Sequence, residues 1–261
     1  MSGVWHTIKE QAKRGRPKIA IGVLNVTDEM KEHLVMGSQY ADVIVVGVHL
    51  NGYECIVEGE EHENAALLVS LLKDGKVDGI VRGHFDQDVF YGELRTTFGY
   101  DQIRAMTLMR TIEGHEFFLG PGTLYEGDSV EGKISFIDEA LPLLEQWGVK
   151  PRFGIHGKFT AEYTESGRGR KLSLDDSERL VQILRDQGFE ATFYGRRIEE
   201  AIRRSNFVVP CDGFTGNMIY RTLLHVGGAS DLGCPYLMRE PVVGGSQYNQ
   251  KIWPIRHHGS S

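Results

Sequence analysis

The run from Val208 to Leu224, Val-Val-Pro-Cys-Asp-Gly-Phe-Thr-Gly-Asn-Met-Ile-Tyr-Arg-Thr-Leu-Leu, joins two kinds of periodicity. An apolar β run ends at Asp212, a loop carries Gly213, Thr215 and Gly216, and apolar residues resume at helical spacing at Met218, Ile219, Leu223 and Leu224. A glycine-bearing turn into a helix leaves N–H groups near Thr215, Gly216 and Asn217 without intrahelical partners, and the helix dipole there favours an anion. The chemistry that this would serve is phosphate binding. A plainer reading uses the same residues: Thr215 or Asn217 caps a helix and Gly213 makes a turn. Spacing alone leaves both readings open.

Other residues could complete an anion site. In Val77-Asp-Gly-Ile-Val-Arg-Gly-His84 a strand ends at Arg82 and Gly83, and an arginine there can hold a phosphate bidentately or form an ordinary ion pair. Asp212 could orient Arg82 or act as a base. His156 and Lys158 stand just past another strand, where a ligand loop would run, although structural roles suit them equally. Arg168 and Arg170 lie in a glycine-bearing loop with Lys171, followed by Arg196, Arg197, Arg203 and Arg204 around Glu199 and Glu200. Such clustering could meet the phosphates of a nucleotide-like carrier such as coenzyme A, or an acidic partner; a solvated helix face with internal Glu–Arg pairs is the duller account. His84-Phe-Asp-Gln-Asp88 imitates a metal site, but its spacing is loose and Asp86 reads better as a helix cap, so no metal site is expected. Cys211 reads as a buried inert thiol before a reactive one.

These residues need a scaffold that presents strand ends. Short β runs at Lys18–Val23, Asp42–Gly47, Tyr53–Val57 and Val77–Val81 alternate with helices expected over Asp28–Val35, Glu63–Leu72, Asp86–Thr97 and Tyr100–Met109. Continuous β-branched runs such as Val43-Ile-Val-Val46 suit strands covered on both faces, and the alternation predicts a parallel sheet flanked by helices. Ligands then gather beyond the carboxyl ends of the strands. Gly120-Pro-Gly-Thr-Leu-Tyr-Glu-Gly-Asp128 interrupts the pattern, and a domain boundary is placed there. Beyond it come a helix over Ile137–Trp147, a strand over Arg152–Ile155, a helix over Leu174–Gln187, a strand over Ala191–Tyr194, a helix over Ile198–Arg204 and a strand over Phe207–Pro210.

Composition narrows the function classes. Of 261 residues 41% are apolar and 25% charged, which excludes disorder, collagen and coiled coil. Glycine is over-used at 32 residues, against ~7% on average, as in folds with many ligand loops. A net charge of −7 gives no global reason to bind nucleic acid or an anionic membrane. Three widely spaced cysteines without a CxxC pair indicate neither a disulfide framework nor a zinc knuckle, and a cytoplasmic location is expected.

Asp212-Gly-Phe-Thr-Gly-Asn217 resembles a motif of the phosphate acyltransferases of phospholipid synthesis, which share a superfamily with phosphotransacetylase and phosphotransbutyrylase. Val77–His84 resembles the transacylase segment in which a strand ends in a basic residue and glycine, here Arg82 and Gly83. Ile103-Arg104, Glu113-Gly-His-Glu-Phe-Phe-Leu-Gly-Pro121, Tyr125-Glu-Gly127, Gly227-Gly-Ala229 and Gly233-Cys-Pro235 are similar to a narrower archaeal family, methanogenesis marker protein 4 or methyltransferase-related MtxX. The resemblance implies the two-lobed isocitrate/isopropylmalate dehydrogenase-like α/β fold with an interdomain cleft. Its first lobe would span 1–120, completed by 235–261, its second would span 121–234, and the protein would be a homodimer. It implies a transferase that binds phosphate or a phosphorylated carrier such as coenzyme A as substrate, with no required cofactor. Arg82, Asp212 and Asn217 would be catalytic, and Gly83, Gly213, Thr215, Gly216, His156, Lys158, Arg168 and Arg170 would bind the ligand. The alternative is a non-catalytic accessory protein of methanogen methyl-group metabolism with a methyltransferase-system partner. The dehydrogenases of this fold bind a divalent metal through aspartates, and no matching late Asp-x-x-x-Asp cluster occurs here, which disfavours decarboxylating dehydrogenation.

Overall fold

The computed structural model describes residues 3–123, 126–158 and 168–244. The chain divides into two compact units: the first holds the chain to Ile103 together with the segment from Gly233, and the second is Arg104–Leu232. The division falls ahead of the expected break at Gly120, and the Gly120–Asp128 segment lies inside the second unit. Tyr125 of the quoted motif is outside the described residues.

The first unit opens with α1 (Val4–Gly15), β1 (Lys18–Gly22), α2 (Asp28–Gly37), β2 (Asp42–Val46), β3 (Glu54–Ile56), α3 (Glu61–Lys73), β4 (Gly79–Val81) and α4 (Gln87–Phe98). β1 pairs in parallel with β2 and β4, and β2 with β3. Ile19, Ala20, Ile21, Val45, Val46, Ile80 and Val81 are all fully buried, as expected for parallel strands covered on both faces. Local chemistry sets the helix ends. Thr27 accepts the Met30 N–H at the start of α2, and Asp86 accepts the Asp88 and Val89 N–H groups at the start of α4. Asp86 is therefore a cap, as its position suggests.

The second unit contains β5 (Thr107–Arg110), β6 (Glu116–Leu119), α5 (Val130–Gln146), β7 (Arg152–His156), α6 (Arg168–Asp186), β8 (Glu190–Gly195), α7 (Ile198–Arg204), β9 (Phe207–Val209) and α8 (Gly213–His225). β6, β9, β7 and β8 pair in parallel in that order, and β5 forms an antiparallel hairpin with β6. The expected helix over Tyr100–Met109 is therefore replaced by β5, because Thr107–Arg110 pairs residue by residue with Glu116–Leu119. This hairpin also explains why the boundary precedes Gly120: β6 is committed to β9 and carries β5 with it. Met109, Phe117, Leu119 and Val208 form the core beneath these strands with Ala201 and Ile202 of α7.

Two strands close the fold. β10 (Ser230–Pro235) leads back to the first unit, where β11 (Val242–Gly244) pairs antiparallel with β10 and parallel with β4. Among the described residues no helix is long and apolar enough to cross a membrane.

Candidate functional site

β7 and β9 are parallel neighbours, so the residues after them emerge on the same edge of the second unit's sheet. His156 ends β7, Lys158 lies two residues beyond, and Cys211, Asp212 and Thr215 follow β9. The structure brings these together. Asp212 is the N-cap of α8, its Oδ1 accepting the Thr215 N–H at 2.8 Å, while its Oδ2 meets Lys158 Nζ at 2.8 Å. Cys211 Sγ lies 3.2 Å from Thr215 Oγ1 and 3.6 Å from Asp212 Oδ2.

The helix starts earlier than the residues suggest. It begins at Gly213, and Asp212, not Thr215 or Asn217, caps it. The amides expected to be open are consequently occupied: Thr215 N–H by Asp212 Oδ1, and Gly216 N–H by the Asp212 carbonyl at 3.0 Å. Gly213 N–H donates to the Glu126 carbonyl at 2.8 Å, and Asn217 Nδ2 to the Gly122 carbonyl at 3.3 Å. The glycines serve close packing as well: a Cβ on Gly213 would lie 1.8 Å from the Thr123 carbonyl oxygen, and one on Gly216 2.1 Å from that of Pro121.

Electrostatics distinguish the members of the cluster. Partial burial works to raise the Asp212 carboxyl, but hydrogen bonds from Lys158 and from the Thr215 hydroxyl and amide outweigh it and hold the group well below the usual carboxylate range. The Asp212 hydrogen bond raises Lys158 in turn, and this lysine remains exposed. Burial lowers His156 against the opposing pull of Asp212, so its imidazole is neutral at pH 7; its Nδ1 is buried without a hydrogen-bond partner among the described residues. Burial raises Cys211, which is therefore a neutral thiol and a poor nucleophile.

Two residues of this unit were not picked out as candidates from the residue pattern. Lys133 on α5 donates to the Gly127 carbonyl, and burial lowers its amine in the vicinity of Cys211, Asp212 and Asp128. Glu126 is 4% exposed and burial pushes its carboxyl up to about 7. The Glu126-Gly127 pair was visible within a motif, but burial of a carboxyl inside a glycine-rich segment leaves no periodic signal.

The remaining candidates sit elsewhere. Arg82 and Gly83 belong to the first unit. Arg82 is 6% exposed, and its Nη1 donates to the Phe85 carbonyl at 2.6 Å. Gly83 has φ +60°, and a Cβ on it would lie 1.9 Å from the Gly22 carbonyl oxygen. Of the two readings of Arg82, a phosphate ligand or an ordinary ion pair, neither is decided by these contacts; its guanidinium is buried and bound to backbone and does not lie at the surface. His84 Nδ1 accepts the Leu24 N–H at 3.3 Å, a structural engagement of that imidazole. Arg168 and Arg170 lie in the first turn of α6 and not in a loop, because the helix extends six residues ahead of its expected start at Leu174. Arg204 pairs with Glu200, and Arg203 with Glu113, as a solvated basic face requires.

No model of a protein family matches the chain. Among curated proteins it is 30% identical over 241 residues to a Methanosarcina barkeri protein provisionally named methyltransferase mtx subunit X, covering 89% of this chain and 88% of the relative. The Methanosarcina mazei protein of the same name is 28% identical over 252 residues, covering 93% of this chain and 88% of the relative. Among solved structures, a phosphotransacetylase from Streptococcus pyogenes superposes with a TM-score of 0.70 at 12% identity, covering 96% of this chain and 94% of that one. A branched-chain phosphotransacylase from Enterococcus faecalis gives 0.66 at 17% identity, covering 89% of this chain and 93% of that one. At such identities these two show a shared fold, the phosphotransacylase-like fold that the motifs imply.

Proposed function

The chain belongs to the family of methanogen proteins named methyltransferase mtx subunit X, and we propose that it works as a phosphate acyltransferase-like transferase. It binds phosphate, or a phosphorylated carrier such as coenzyme A, at the β7–β9 edge of its second unit. One observation carries this reading. At the carboxyl ends of two parallel strands, where such sheets collect ligands, an exposed lysine, a hydroxyl and a neutral imidazole stand around the Asp212 cap. Asp212 uses different oxygens for Thr215 and Lys158, so an incoming dianion can take over Lys158 while the helix stays capped.

The chemistry asks little of the protein beyond positioning and charge. A phosphate oxygen attacks the thioester carbonyl, a C–O bond forms as the C–S bond breaks, and the thiolate leaves with the electron pair. Holding the dianion and stabilising the developing oxyanion are the protein's share, for which Lys158 and Thr215, both bonded to the Asp212 carboxylate, are the groups at the cap. No covalent nucleophile is required, which agrees with Cys211 held as a neutral thiol. Phosphate or coenzyme A is expected to raise the melting temperature of the full chain, Lys158→Ala to remove that rise, and short-chain acyl thioesters with phosphate to yield acyl phosphate. Absence of any shift with either ligand would end this reading.

A second reading, a non-catalytic subunit of a methyl-transfer system, is favoured by the occupancy of the α8 amides. With the Thr215, Gly216 and Gly213 N–H groups already bonded, less donor capacity is left for an oxyanion. That reading gives ligand-induced stabilisation without acyl phosphate from any thioester, and co-purification of a protein partner.

A further inference from the structure

Glu126 combines three features that the proposed activity does not use. Its side chain is 4% exposed, and its Oε2 has no hydrogen-bond partner among the described residues. Its own carbonyl accepts the Gly213 N–H, the first amide of α8, at 2.8 Å. Its amide donates to the Thr123 carbonyl at 3.1 Å, and that carbonyl is the atom a Cβ on Gly213 would strike. The backbone of Thr123 and Glu126 therefore fits against the first residue of α8 with no spare room, while the Glu126 side chain sits in a place poorly suited to a charge.

We infer that the protonation state of Glu126 controls the hydrogen bond that holds the start of α8: the neutral acid keeps the Glu126 carbonyl on Gly213, and the carboxylate weakens it. An ionised carboxylate here keeps one oxygen buried and unbonded and loses hydration that the Thr123 hydrogen bonds to it only partly replace, and movement of the Glu126 backbone would let water return. That movement takes away the carbonyl that Gly213 uses. The charged groups around the carboxyl do not cancel this. Arg104 favours the carboxylate, but its Nη1 is bound to Glu139 Oε1 at 2.6 Å and Ser135 Oγ at 2.8 Å, and Glu139 itself opposes ionisation. Thr123 donates to the carboxyl and supports the charged form. Burial outweighs all of them. Lys133, from α5, gives its Nζ to the neighbouring Gly127 carbonyl.

The sign follows from linkage. A carboxyl raised in the closed form binds a proton there that it releases on opening, so closing is favoured at low pH and lost as pH rises toward neutrality. With the closed form titrating at about 7 and a freed side chain at 4.5, the closed-to-open ratio falls about ten-fold between pH 6 and pH 8. Because the contact lies within the protein backbone, the inference stands or falls independently of ligand binding.

Hydrogen exchange of the full chain tests it, read as the protection factor of the Gly213 amide, which corrects for the intrinsic pH dependence of exchange. Wild type is expected to lose about ten-fold in protection from pH 6 to pH 8, and Glu126→Gln, which stays neutral, to keep its protection across that range. Equal pH dependence in the two proteins would overturn the inference. Should the glutamine variant fail to fold, carbon-13 NMR of the wild-type Glu126 carboxyl decides: a titration near neutrality, followed by the Gly213 amide shift, supports the coupling, and one in the ordinary carboxylate range refutes it.

Discussion

Asp212 does two jobs with two oxygens, and each has its own energetic consequence. As an N-cap it accepts one of the amides that a helix start leaves unsatisfied, so loss of the cap in Asp212→Ala is expected to cost about 1 kcal/mol of stability, while Asp212→Asn, which can still accept, keeps the cap and loses only what the charge contributes. The ion pair to Lys158 is different, because Lys158 is more than half exposed and solvent screens it. Lys158→Ala alone should change stability by less than about 1 kcal/mol, which makes it a clean probe of ligand binding. The pH dependence carries the sign of a depressed carboxyl: the contribution of Asp212 is fully present above about pH 4 and is lost as pH falls below that. Melting curves of Asp212→Asn should therefore be flatter than wild type on the acid limb and parallel to it near neutrality. Equal acid sensitivity would show that the Lys158 and Thr215 contacts do not depress the carboxyl. Much of this site was legible as residue types around a strand-to-helix corner. The assignment of the cap was not, because Asp212, Thr215 and Asn217 are all good caps, and which one accepts depends on where the backbone leaves the strand.

Helix and strand identities were legible wherever periodicity and punctuation agreed, and they failed where a distant partner decided. α7 was predicted with its observed ends, Ile198 and Arg204, and α4 with its Asp86 cap. Tyr100–Met109 has apolar residues at Ile103 and Met106 that suit a helix, yet Thr107–Arg110 is drawn into the hairpin with β6, a pairing that local spacing does not encode. α1 carried no expectation for another reason: its buried face is only Ile8 and Ala12, too narrow a stripe for helical periodicity to show. The same scale explains the glycines. Gly213 lies in the first turn of α8 because no side chain fits between it and the Thr123 carbonyl, so Gly213→Ala should destabilise by roughly 1–3 kcal/mol despite the better helix propensity of alanine. Gly92 in α4 is the control. A Cβ there meets nothing within 4 Å, and Gly92→Ala should stabilise by about 1 kcal/mol. Thermal melts of the two variants should move in opposite directions; a common direction would mean that helix propensity, not contact with Thr123, sets the cost at Gly213.

The first unit is assembled from chain segments more than a hundred residues apart, and its returning strand pairs with β4 inside it. β11 contributes Val242 and Val243, both buried, against Ile80 and Val81 of β4, and Arg82 N–H donates to the Val243 carbonyl at 2.9 Å. The approach to β11 is pinned as well: Tyr100 Oη donates to Glu240 at 2.8 Å and accepts the Arg239 N–H at 3.0 Å, and the buried Tyr236 ring packs edge-on against Tyr91 at 5.3 Å. Closing so long an intervening chain carries an entropic cost that grows only slowly with length, so these contacts suffice to hold the segment while the core of β4 and β11 stays apolar. A charge there should break the arrangement. Val243→Asp places a carboxylate at a position with no exposed surface, at a cost on the order of 3–5 kcal/mol, a large share of the ~5–15 kcal/mol that stabilises a typical domain. Hydrogen exchange should then accelerate in β4 and in its neighbour β1, whose Ala20 and Ile21 pair with Ile80 and Val81, while Val226→Asp, at an 83% exposed position, leaves both strands protected. Wild-type protection of β1 in the Val243→Asp chain would mean that the N-terminal strands hold together without the returning segment, and that the discontinuity of this unit is an accident of connectivity and not a requirement of its stability.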